Sequence, residues 1–332
     1  MRVALIGAGF IGSVHAVNLA AHPDVRFDVF DVDTTRARSV ADRHGTGVVA
    51  SLDDAFDPAR FDAVLIASST DTHAAHLRRA ADAGLAVFCE KPVDLDLDRA
   101  REVSAHVAAR GVPAMVDFNR RFDRDYAHLR ELVRSGDLGD VELVQLTSRG
   151  PSMPPLEYVA VSGGQMRDQA VHFFDLARWI TGAEPVEVTA LGAALADPRI
   201  TEHGDVDTSV TSVRMSTGAL VQIDCVRRTA YGYDERIEVH GSAGMAEARR
   251  HRDGAVTRYG AGRVVEDGLH PGWFERVRPT YAAALDAFVT AVREGVAPSP
   301  SLADGLVAQA VAEAATAALT SGRTEPVLTV TP

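Results

Sequence analysis

Short apolar runs alternate with amphipathic stretches along the first third of the chain. The stretches, with apolar residues three and four positions apart, predict helices at 10–21, 72–83 and 96–110. The apolar runs predict strands at 2–6, 26–31, 63–67, 85–89 and 113–118. Strands that alternate with helices are typical of a doubly wound α/β fold with a parallel sheet, which binds ligands at the carboxyl ends of its strands.

The pattern changes after residue 120. A predicted helix at 122–135 is followed by strands with few helices between them, at 141–148, 186–194, 208–215, 219–227 and 235–240. Helix 163–179 interrupts them, and helices 279–294 and 302–321 end the chain. This succession predicts an α+β domain with a large, mostly antiparallel sheet. We therefore predict a dinucleotide-binding domain at 1–120 and a substrate-binding and oligomerisation domain at 121–332, whose last helices pack back on the first domain.

A glycine-rich loop, GAGFIG, follows the first predicted strand and opens the first predicted helix. This context is what the dinucleotide-binding fingerprint requires. Gly7 permits a tight turn, Gly9 lets the backbone approach a pyrophosphate, and Gly12 lets helix and strand pack closely. With Phe10 and Ile11, these residues are candidate cofactor contacts at a helix N-terminus.

Asp31 ends the second predicted strand, where a carboxylate would bind the adenine ribose hydroxyls. It would also repel the 2′-phosphate of NADP, so we predict NAD as the preferred cofactor. Arg36 and Arg38 lie close by in sequence and leave NADP open as the less favoured alternative. Without the glycine loop, such an acid would be interpreted as a solvated residue or a helix cap.

Lys91 is the only lysine among 34 basic Lys and Arg residues. Arginine stays protonated near neutral pH, whereas an ammonium can exchange a proton when burial and charge lower its pKa. Lys91 follows strand 85–89, and Ser68 and His73 follow the neighbouring strand, so both segments belong at the cofactor-binding edge of the sheet. Chance survival of one lysine is the alternative to a proton-handling role.

Asp168 and His172 are four residues apart on predicted helix 163–179 and therefore share a face. An imidazole can accept a hydroxyl proton as hydride leaves, and a carboxylate can orient the imidazole or bind a neighbouring hydroxyl. From spacing alone, a surface pair or a core histidine is the favoured interpretation. The pair is nonetheless a candidate for catalysis at a carbinol.

Composition excludes several classes of protein. The net charge of −12 disfavours a nucleic-acid binder. Cys89 and Cys225 lie in apolar runs without metal-ligand spacing, which predicts buried, reduced thiols and no metal site. No apolar run approaches the roughly 20 residues of a membrane span, and the first strand leaves no room for a signal peptide. We therefore predict a cytoplasmic protein without a membrane partner.

Eight motifs occur in one order through nearly the whole chain. They are GAGFIG (7–12), SSTDTH (68–73), CEKPVDL (89–95), MVDFNRRFD (115–123), TSRGP (147–151), SGGQMRDQAVHFFD (162–175), GDVDT (204–208) and YGYDERIEVHGSAGM (231–245). Together they resemble the glucose-fructose oxidoreductase / inositol dehydrogenase / MocA (Gfo/Idh/MocA) family, within it the NAD-dependent inositol 2-dehydrogenase branch. The resemblance implies an N-terminal Rossmann domain and a C-terminal domain with an open, mostly antiparallel sheet, often packed sheet to sheet in a homotetramer.

The resemblance also implies a catalytic trio. In it His172 is the general base on the oxidised hydroxyl, Lys91 is hydrogen-bonded to the same oxygen, and Asp168 orients the substrate or the imidazole. Glu90 and Pro92 shape the turn that carries Lys91, and the Lys-Pro bond can be cis in relatives. Further candidate cofactor contacts are Ser68, Ser69, Thr70, His73, Glu90, Lys91 and Pro92. The candidate substrate contacts are Asn119, Arg149, Tyr158, Asp168, His172 and Tyr233, for which packing or interface roles are the alternative.

The expected activity is NAD-dependent oxidation of a secondary hydroxyl of a cyclitol to a ketone. The chain differs from the family pattern at Gly150, where inositol dehydrogenases of this branch typically carry an acid. An inosamine or a deoxy-inositol would suit a site with one carboxylate fewer, and a neutral loop change is the alternative. A pyranose dehydrogenase, a keto-sugar reductase or a nucleotide-binding regulator also remain open, although Asp31 argues against NADPH and Lys91 and His172 argue against a regulator.

Overall fold

The computed structural model describes residues 1–330 and divides them into two compact units. Unit 1 contains Met1–Phe122 and Pro279–Val307, together with Val330 at the end of the described chain. Unit 2 contains Asp123–Arg278 and Ala308–Thr329.

Unit 1 is built on a six-stranded sheet in which every pairing is parallel. In sheet order its strands are β3 (Gly47–Val48), β2 (Arg26–Phe30), β1 (Arg2–Ile6), β4 (Ala63–Ile66), β5 (Ala86–Cys89) and β6 (Ala114–Val116). Every residue of β4 and β5 is buried, because helices cover both faces of such a sheet. This confirms the doubly wound parallel sheet that the sequence predicts.

Four helices connect these strands. They are α1 (Phe10–Ala21), α2 (Thr34–His44), α3 (His73–Asp82) and α4 (Leu97–Arg110). Asp33 and Asp96 cap the N-termini of α2 and α4 by accepting backbone N–H bonds. The sequence pattern did not predict α2, because only Ala37, Val40 and Ala41 of its residues are buried and its apolar stripe is correspondingly narrow.

The core of unit 1 includes one face of a helix from the end of the chain. Helix α8 (Trp273–Glu294) contributes Ala284, Leu285 and Phe288 to it. The ring of Phe288 meets that of Phe88 edge to face, with 5.4 Å between centroids. The helix begins earlier than the predicted start at residue 279, because Pro279 is accommodated inside it.

Unit 2 is built on a seven-stranded sheet with one parallel pairing, between β7 and β10, and otherwise antiparallel pairings. In sheet order its strands are β12 (Gly244–Ala248), β11 (Asp234–Gly241), β7 (Val141–Arg149), β10 (Leu220–Val226), β9 (Thr208–Met215), β8 (Pro185–Ala193) and β15 (Glu325–Pro326). The strands β13 (Thr257–Gly260) and β14 (Arg263–Glu266) form a separate hairpin. The predicted mostly antiparallel sheet is confirmed.

One face of this sheet is buried under helices. The core includes Val213 and Val221 from the strands, and Phe173 and Val311 from the helices. Alternate residues of β9 point to the opposite, exposed face. The helices of unit 2 are α5 (Arg124–Ser135), α6 (Leu156–Ser162), α7 (Val171–Thr181) and part of α9 (Leu302–Ser321).

Two expectations from composition concern buried residues. Cys89 and Cys225 are both buried and free of disulfides, as predicted. Within residues 1–330, helix α9 is long and apolar enough to cross a membrane by length and composition, but 61% of its most apolar window is buried in the structure. A core helix passes the same test, so α9 is weak evidence for a membrane span.

Candidate active site

The glycine loop lies between β1 and α1 in unit 1. Gly7 has φ +105° and lies against the Ala67 backbone, so a Cβ atom there would overlap the Ala67 carbonyl group. A Cβ at Gly12 would overlap the carbonyl of Gly7, whereas no atom lies within 4 Å of the Cβ position of Gly9. Gly7 thus allows the turn and Gly12 allows the close contact between helix and loop, while Gly9 leaves space beside the loop for a ligand.

Asp31 lies just past β2 and contacts the loop. Its Oδ2 accepts the Ala8 N–H at 2.6 Å and its Oδ1 accepts the Asp33 N–H at 2.8 Å. A carboxylate has about four acceptor positions, so capacity remains for a ribose hydroxyl. Helix α1 has no side-chain cap at its N-terminus. The open loop, the uncapped helix and the carboxylate fit the pyrophosphate and adenine ribose of NAD.

The segments after β4 and β5 are tied together by His73, which is 1% exposed. Its Nδ1 lies 2.8 Å from the Pro92 carbonyl oxygen and its Nε2 lies 3.1 Å from the Ser68 carbonyl oxygen. Ser69 is exposed and Thr70 half-buried in the same segment. The ring of His73 therefore joins the two segments that carry the candidate cofactor contacts.

Lys91 follows β5 and is half-buried. Its peptide bond to Pro92 is cis, as the resemblance implied. The Lys91 N–H donates to Glu90 Oε2 at 3.2 Å. The other oxygen of Glu90, Oε1, lies 2.8 Å from His15 Nε2 in helix α1. The turn that carries the only lysine is thus connected to the helix that begins at the glycine loop.

His15 and Asp117, which contact this turn, were not singled out in the sequence. His15 lies three residues past Gly12, and Asp117 directly follows β6 inside the motif MVDFNRRFD. A polar residue among the buried positions of an apolar helix was the available signal for His15. For Asp117 the signal was its place at a strand end beside that of β5.

In unit 2, Asp168 lies in a π-helical turn, Met166–Ala170, and His172 lies in the first turn of α7. The helix that the sequence predicts as continuous is therefore interrupted at Asp168. Such π-helical turns often occur at functional sites. Asp168 Oδ1 accepts the Tyr158 hydroxyl at 2.8 Å, and its Oδ2 lies 3.8 Å from Arg227. These two contacts fix the carboxylate one turn before His172, which is 7% exposed.

The start of this turn is held by the segment 204–208. Gly163 and Gly164 both have positive φ and separate α6 from the π-helical turn. The Gln165 N–H donates to Asp205 Oδ1 at 2.8 Å, and its side-chain amide donates to the Asp207 carbonyl at 3.0 Å. The GDVDT motif therefore positions the helix that carries Asp168 and His172.

Arg149 ends β7 and is bound to Asp224 on the neighbouring strand. Its Nε lies 2.6 Å from Asp224 Oδ2, and this hydrogen bond raises the pKa of Arg149. A second bond joins Arg149 to the Tyr231 hydroxyl at 3.4 Å. At Gly150 a Cβ atom would lie 3.6 Å from the Arg227 carbonyl, an ordinary contact. A side chain at position 150 is therefore sterically allowed.

Two candidate substrate contacts are buried. Tyr233 is 6% exposed and its hydroxyl donates to Glu235, while Asn119 is 1% exposed and accepts a bond from Arg120 at 3.0 Å. Of the candidate substrate contacts, Tyr158 binds Asp168 directly. Tyr233 and Asn119 instead bind Glu235 and Arg120.

Two family models match this chain. The model described as the NAD-binding Rossmann fold of an oxidoreductase family covers residues 1–118, and the model described as the GFO/IDH/MocA C-terminal domain covers residues 126–247.

Individual proteins match over nearly the full length. Inositol 2-dehydrogenase of Rhizobium meliloti is 40% identical, over 95% of this chain and 96% of the relative. Myo-inositol 2-dehydrogenase of Thermotoga maritima is 38% identical over 97% of both chains. Among solved structures, scyllo-inositol dehydrogenase from Lactobacillus casei, with bound NAD(H) and scyllo-inositol, has a TM-score of 0.91 and 26% identity. The match covers 98% of this chain and 99% of that one.

Proposed function

The chain belongs to the Gfo/Idh/MocA family of NAD-binding oxidoreductases, and we propose that it oxidises one secondary hydroxyl of a cyclitol to a ketone. The observation that carries the substrate class is the identity of 40% to an inositol 2-dehydrogenase over 95% of the chain. The geometry within each unit supports the chemistry, because a loop that fits NAD lies in unit 1 and a fixed carboxylate lies one turn before a histidine in unit 2.

In the proposed reaction NAD supplies the hydride acceptor. His172 accepts the proton of the hydroxyl group as the carbon–hydrogen bond breaks, and Lys91 donates a hydrogen bond to the same oxygen. Asp168, held by Tyr158 and Arg227, orients the imidazole or a neighbouring hydroxyl of the substrate. A positioned general base of this kind contributes typically about 10²–10⁴ in rate.

An activity assay distinguishes cyclitols from pyranoses, the alternative substrates. Purified protein is incubated with NAD and each of myo-inositol, scyllo-inositol, an inosamine and a set of pyranoses, and NADH absorbance is followed. We expect turnover with at least one cyclitol at higher kcat/KM than with any pyranose. If none of these compounds supports reduction of NAD, the proposed function is wrong.

Position 150 sharpens the substrate assignment. We infer that Gly150, which lacks a carboxylate, favours a cyclitol with one hydroxyl fewer than myo-inositol. The variants Gly150→Asp and Gly150→Ala form a matched pair, since a Cβ atom fits at this position. Gly150→Asp should raise kcat/KM for myo-inositol about five- to tenfold over Gly150→Ala, because a carboxylate that accepts a hydroxyl bond contributes about 1–1.5 kcal/mol. Equal values for the two variants would remove Gly150 as a substrate determinant.

A further inference from the structure

Three buried side chains with acid–base chemistry meet beside the turn that carries Lys91. They are His15 from α1, Glu90 from the residue after β5 and Asp117 from the residue after β6. Their exposed fractions are 0%, 9% and 1%. One nitrogen or oxygen atom from each lies within 4.8 Å of the others. Burying such groups costs free energy unless they bind one another, so their meeting calls for a specific role.

Glu90 is the centre of this cluster. It binds His15 Nε2 through Oε1 at 2.8 Å and the Lys91 N–H through Oε2 at 3.2 Å. Asp117 Oδ2 lies 3.7 Å from the same His15 nitrogen. The bond to Glu90 requires a proton on His15 Nε2, because an ionised carboxylate only accepts hydrogen bonds.

The imidazole of His15 is held in one orientation. The ring of Phe88 meets it edge to face at 5.5 Å between centroids, and the ring of Tyr281 does so at 5.6 Å. Both rings belong to unit 1, as do the three residues of the cluster. Rotation of the imidazole would therefore disturb packing as well as the bond to Glu90.

The number of protons in the cluster follows from burial and charge. Burial first, and then the charge of Glu90, raise the pKa of Asp117 well above its ordinary value, although Arg120 and Lys91 act in the opposite direction. Burial also opposes ionisation of Glu90, but the hydrogen bond and charge of His15 outweigh it and lower the Glu90 pKa. Glu90 is therefore the ionised carboxylate of the cluster, and burial favours the neutral form of Asp117.

We propose that the hydrogen-bonded pair His15 and Glu90, with the buried Asp117 beside it, positions Lys91 for the reaction. Glu90 binds the backbone amide of Lys91, so a displaced carboxylate displaces the main chain that carries the ammonium group. Through its bond to His15, the same carboxylate is also held by α1, the helix that begins at the glycine loop. The three residues are positioning residues, and the role of Lys91 in this statement rests on the proposed function.

The same residue types could ligate a divalent metal ion, and the geometry favours hydrogen bonds. The 2.8 Å between His15 Nε2 and Glu90 Oε1 is a hydrogen-bond length. Two ligand atoms on one tetrahedral zinc ion would lie about 3.3 Å apart. A stoichiometric metal in the purified protein, measured by elemental mass spectrometry and lost in Asp117→Leu, would overturn the proposal.

The single lysine permits a direct test of the contact. In deuterated protein labelled with [¹⁵N]lysine, one backbone amide resonance belongs to Lys91, and a TROSY spectrum reports its hydrogen bond to Glu90. We expect Glu90→Gln and His15→Leu to shift this resonance. The matched control His22→Leu changes the histidine that follows the C-terminus of the same helix, and it should leave the resonance in place. Should His15→Leu not fold, the isosteric Glu90→Gln carries the same test.

Kinetics separate positioning from stability. Glu90→Gln and His15→Leu should lower kcat about 10–100-fold, since a misplacement of about 1 Å can cost 10²-fold. The KM for NAD should change less than about threefold, and the primary deuterium isotope effect on kcat should rise as hydride transfer becomes slower than product release. Loss of folded enzyme would lower kcat and leave the isotope effect unchanged, because each remaining active site would work at its normal rate.

Position 117 provides the conservative rescue. Asp117→Asn keeps a neutral polar side chain of the same size beside Glu90 and should retain at least about a third of kcat, whereas Asp117→Leu should resemble Glu90→Gln. Three results would each overturn the proposal: a Lys91 resonance that stays in place in Glu90→Gln, an unchanged isotope effect beside a lowered kcat, or equal loss in Asp117→Asn and Asp117→Leu. A wild-type enzyme that oxidises no polyol would disprove the proposed function, and the resonance would still test the contact.

Discussion

At the residue scale the first prediction concerns Lys91, the only lysine of the chain. Lys91→Arg keeps the positive charge but replaces a compact ammonium group by a planar guanidinium group. We expect kcat to fall about 10²-fold, because the longer side chain cannot place its hydrogen bond on the reacting oxygen in the same geometry. NAD binding, measured by fluorescence titration of the nucleotide, should change by less than a few-fold. If most of the turnover survives in Lys91→Arg, Lys91 has no role that arginine cannot fill. Arg293→Lys is the reverse control at an exposed arginine that pairs with Asp24, and it should be fully active.

At the same scale we expect Asp31 to determine the preference for NAD over NADP. Its carboxylate lies at the end of β2 and accepts the Ala8 N–H of the glycine loop. Asp31→Asn should tolerate the 2′-phosphate better, so the ratio of kcat/KM for NAD over NADP should fall at least about tenfold, or about 1.4 kcal/mol. Asp33→Asn is the matched control, because Asp33 caps α2 in the same loop. An unchanged ratio in Asp31→Asn would assign NAD selection to other residues.

At the scale of elements the prediction concerns the stability contributed by Asp207, which holds the connection from β8 to β9 by hydrogen bonds. It is fully buried and accepts the N–H groups of Leu195, Ala196 and Asp197 at 2.8–3.0 Å, and the hydroxyl of Thr208. Burial opposes ionisation, but these donors outweigh it and lower the pKa of Asp207. The carboxylate therefore stabilises the folded state above its unfolded pKa of about 3.9, and this contribution is lost as pH falls through the folded pKa.

Asp207→Asn should accordingly lose stability at neutral pH and not at acidic pH. Charge-assisted bonds of this kind contribute about 2–3 kcal/mol, so the thermal midpoint at pH 7 should fall by about 5–10 °C. Below the folded pKa the difference from the wild type should shrink towards zero. The exposed Asp98→Asn is the control, measured by the same calorimetric scans. An equal difference at both pH values would mean that ionisation of Asp207 does not stabilise the fold.

Elements with a strong apolar pattern were the ones that the sequence predicted well. Strands β4 and β5 are buried along their whole length, so an uninterrupted apolar run marks each of them. Strand β3 has two residues, both exposed, and carries no such pattern. The π-helical turn Met166–Ala170 was not predicted, and the contacts at its start are tertiary: Gln165 binds Asp205 and Asp207, which lie about 40 residues further along the chain.

Contacts across the whole molecule set the limit of what the sequence could predict for the site. The glycine loop, Asp31 and Lys91 could be found because each lies within a local motif. The bond from His15 to Glu90 joins residues 75 positions apart, and no local pattern marks such a pair. Gly150 illustrates the reverse case, because the family resemblance indicated an acid at this position and the structure shows that a Cβ atom fits there.

The prediction at the scale of the whole molecule concerns assembly, and it depends on the exposed face of the unit 2 sheet. Leu191 and Val210 are direct neighbours across β8 and β9 and are 73% and 43% exposed, while Leu220 on β10 is 47% exposed. Apolar residues exposed together on a sheet face are typical of an interface. We expect the homotetramer that the family resemblance implies, with a mass of about 142 kDa, four times the chain mass of 35.4 kDa.

Sedimentation equilibrium at micromolar concentration tests this assembly, with Leu191→Arg/Val210→Arg as the disruptive variant. Two buried, unpaired guanidinium groups would cost several kcal/mol at each contact, so the variant should sediment as a smaller species. Its circular dichroism spectrum should match that of the wild type, because both side chains point away from the core. Val296→Arg changes an exposed valine of a loop in unit 1 and should leave the tetramer intact. A wild-type mass near 35.4 kDa would contradict the tetramer. A variant of unchanged mass would instead place the contact between subunits on another surface.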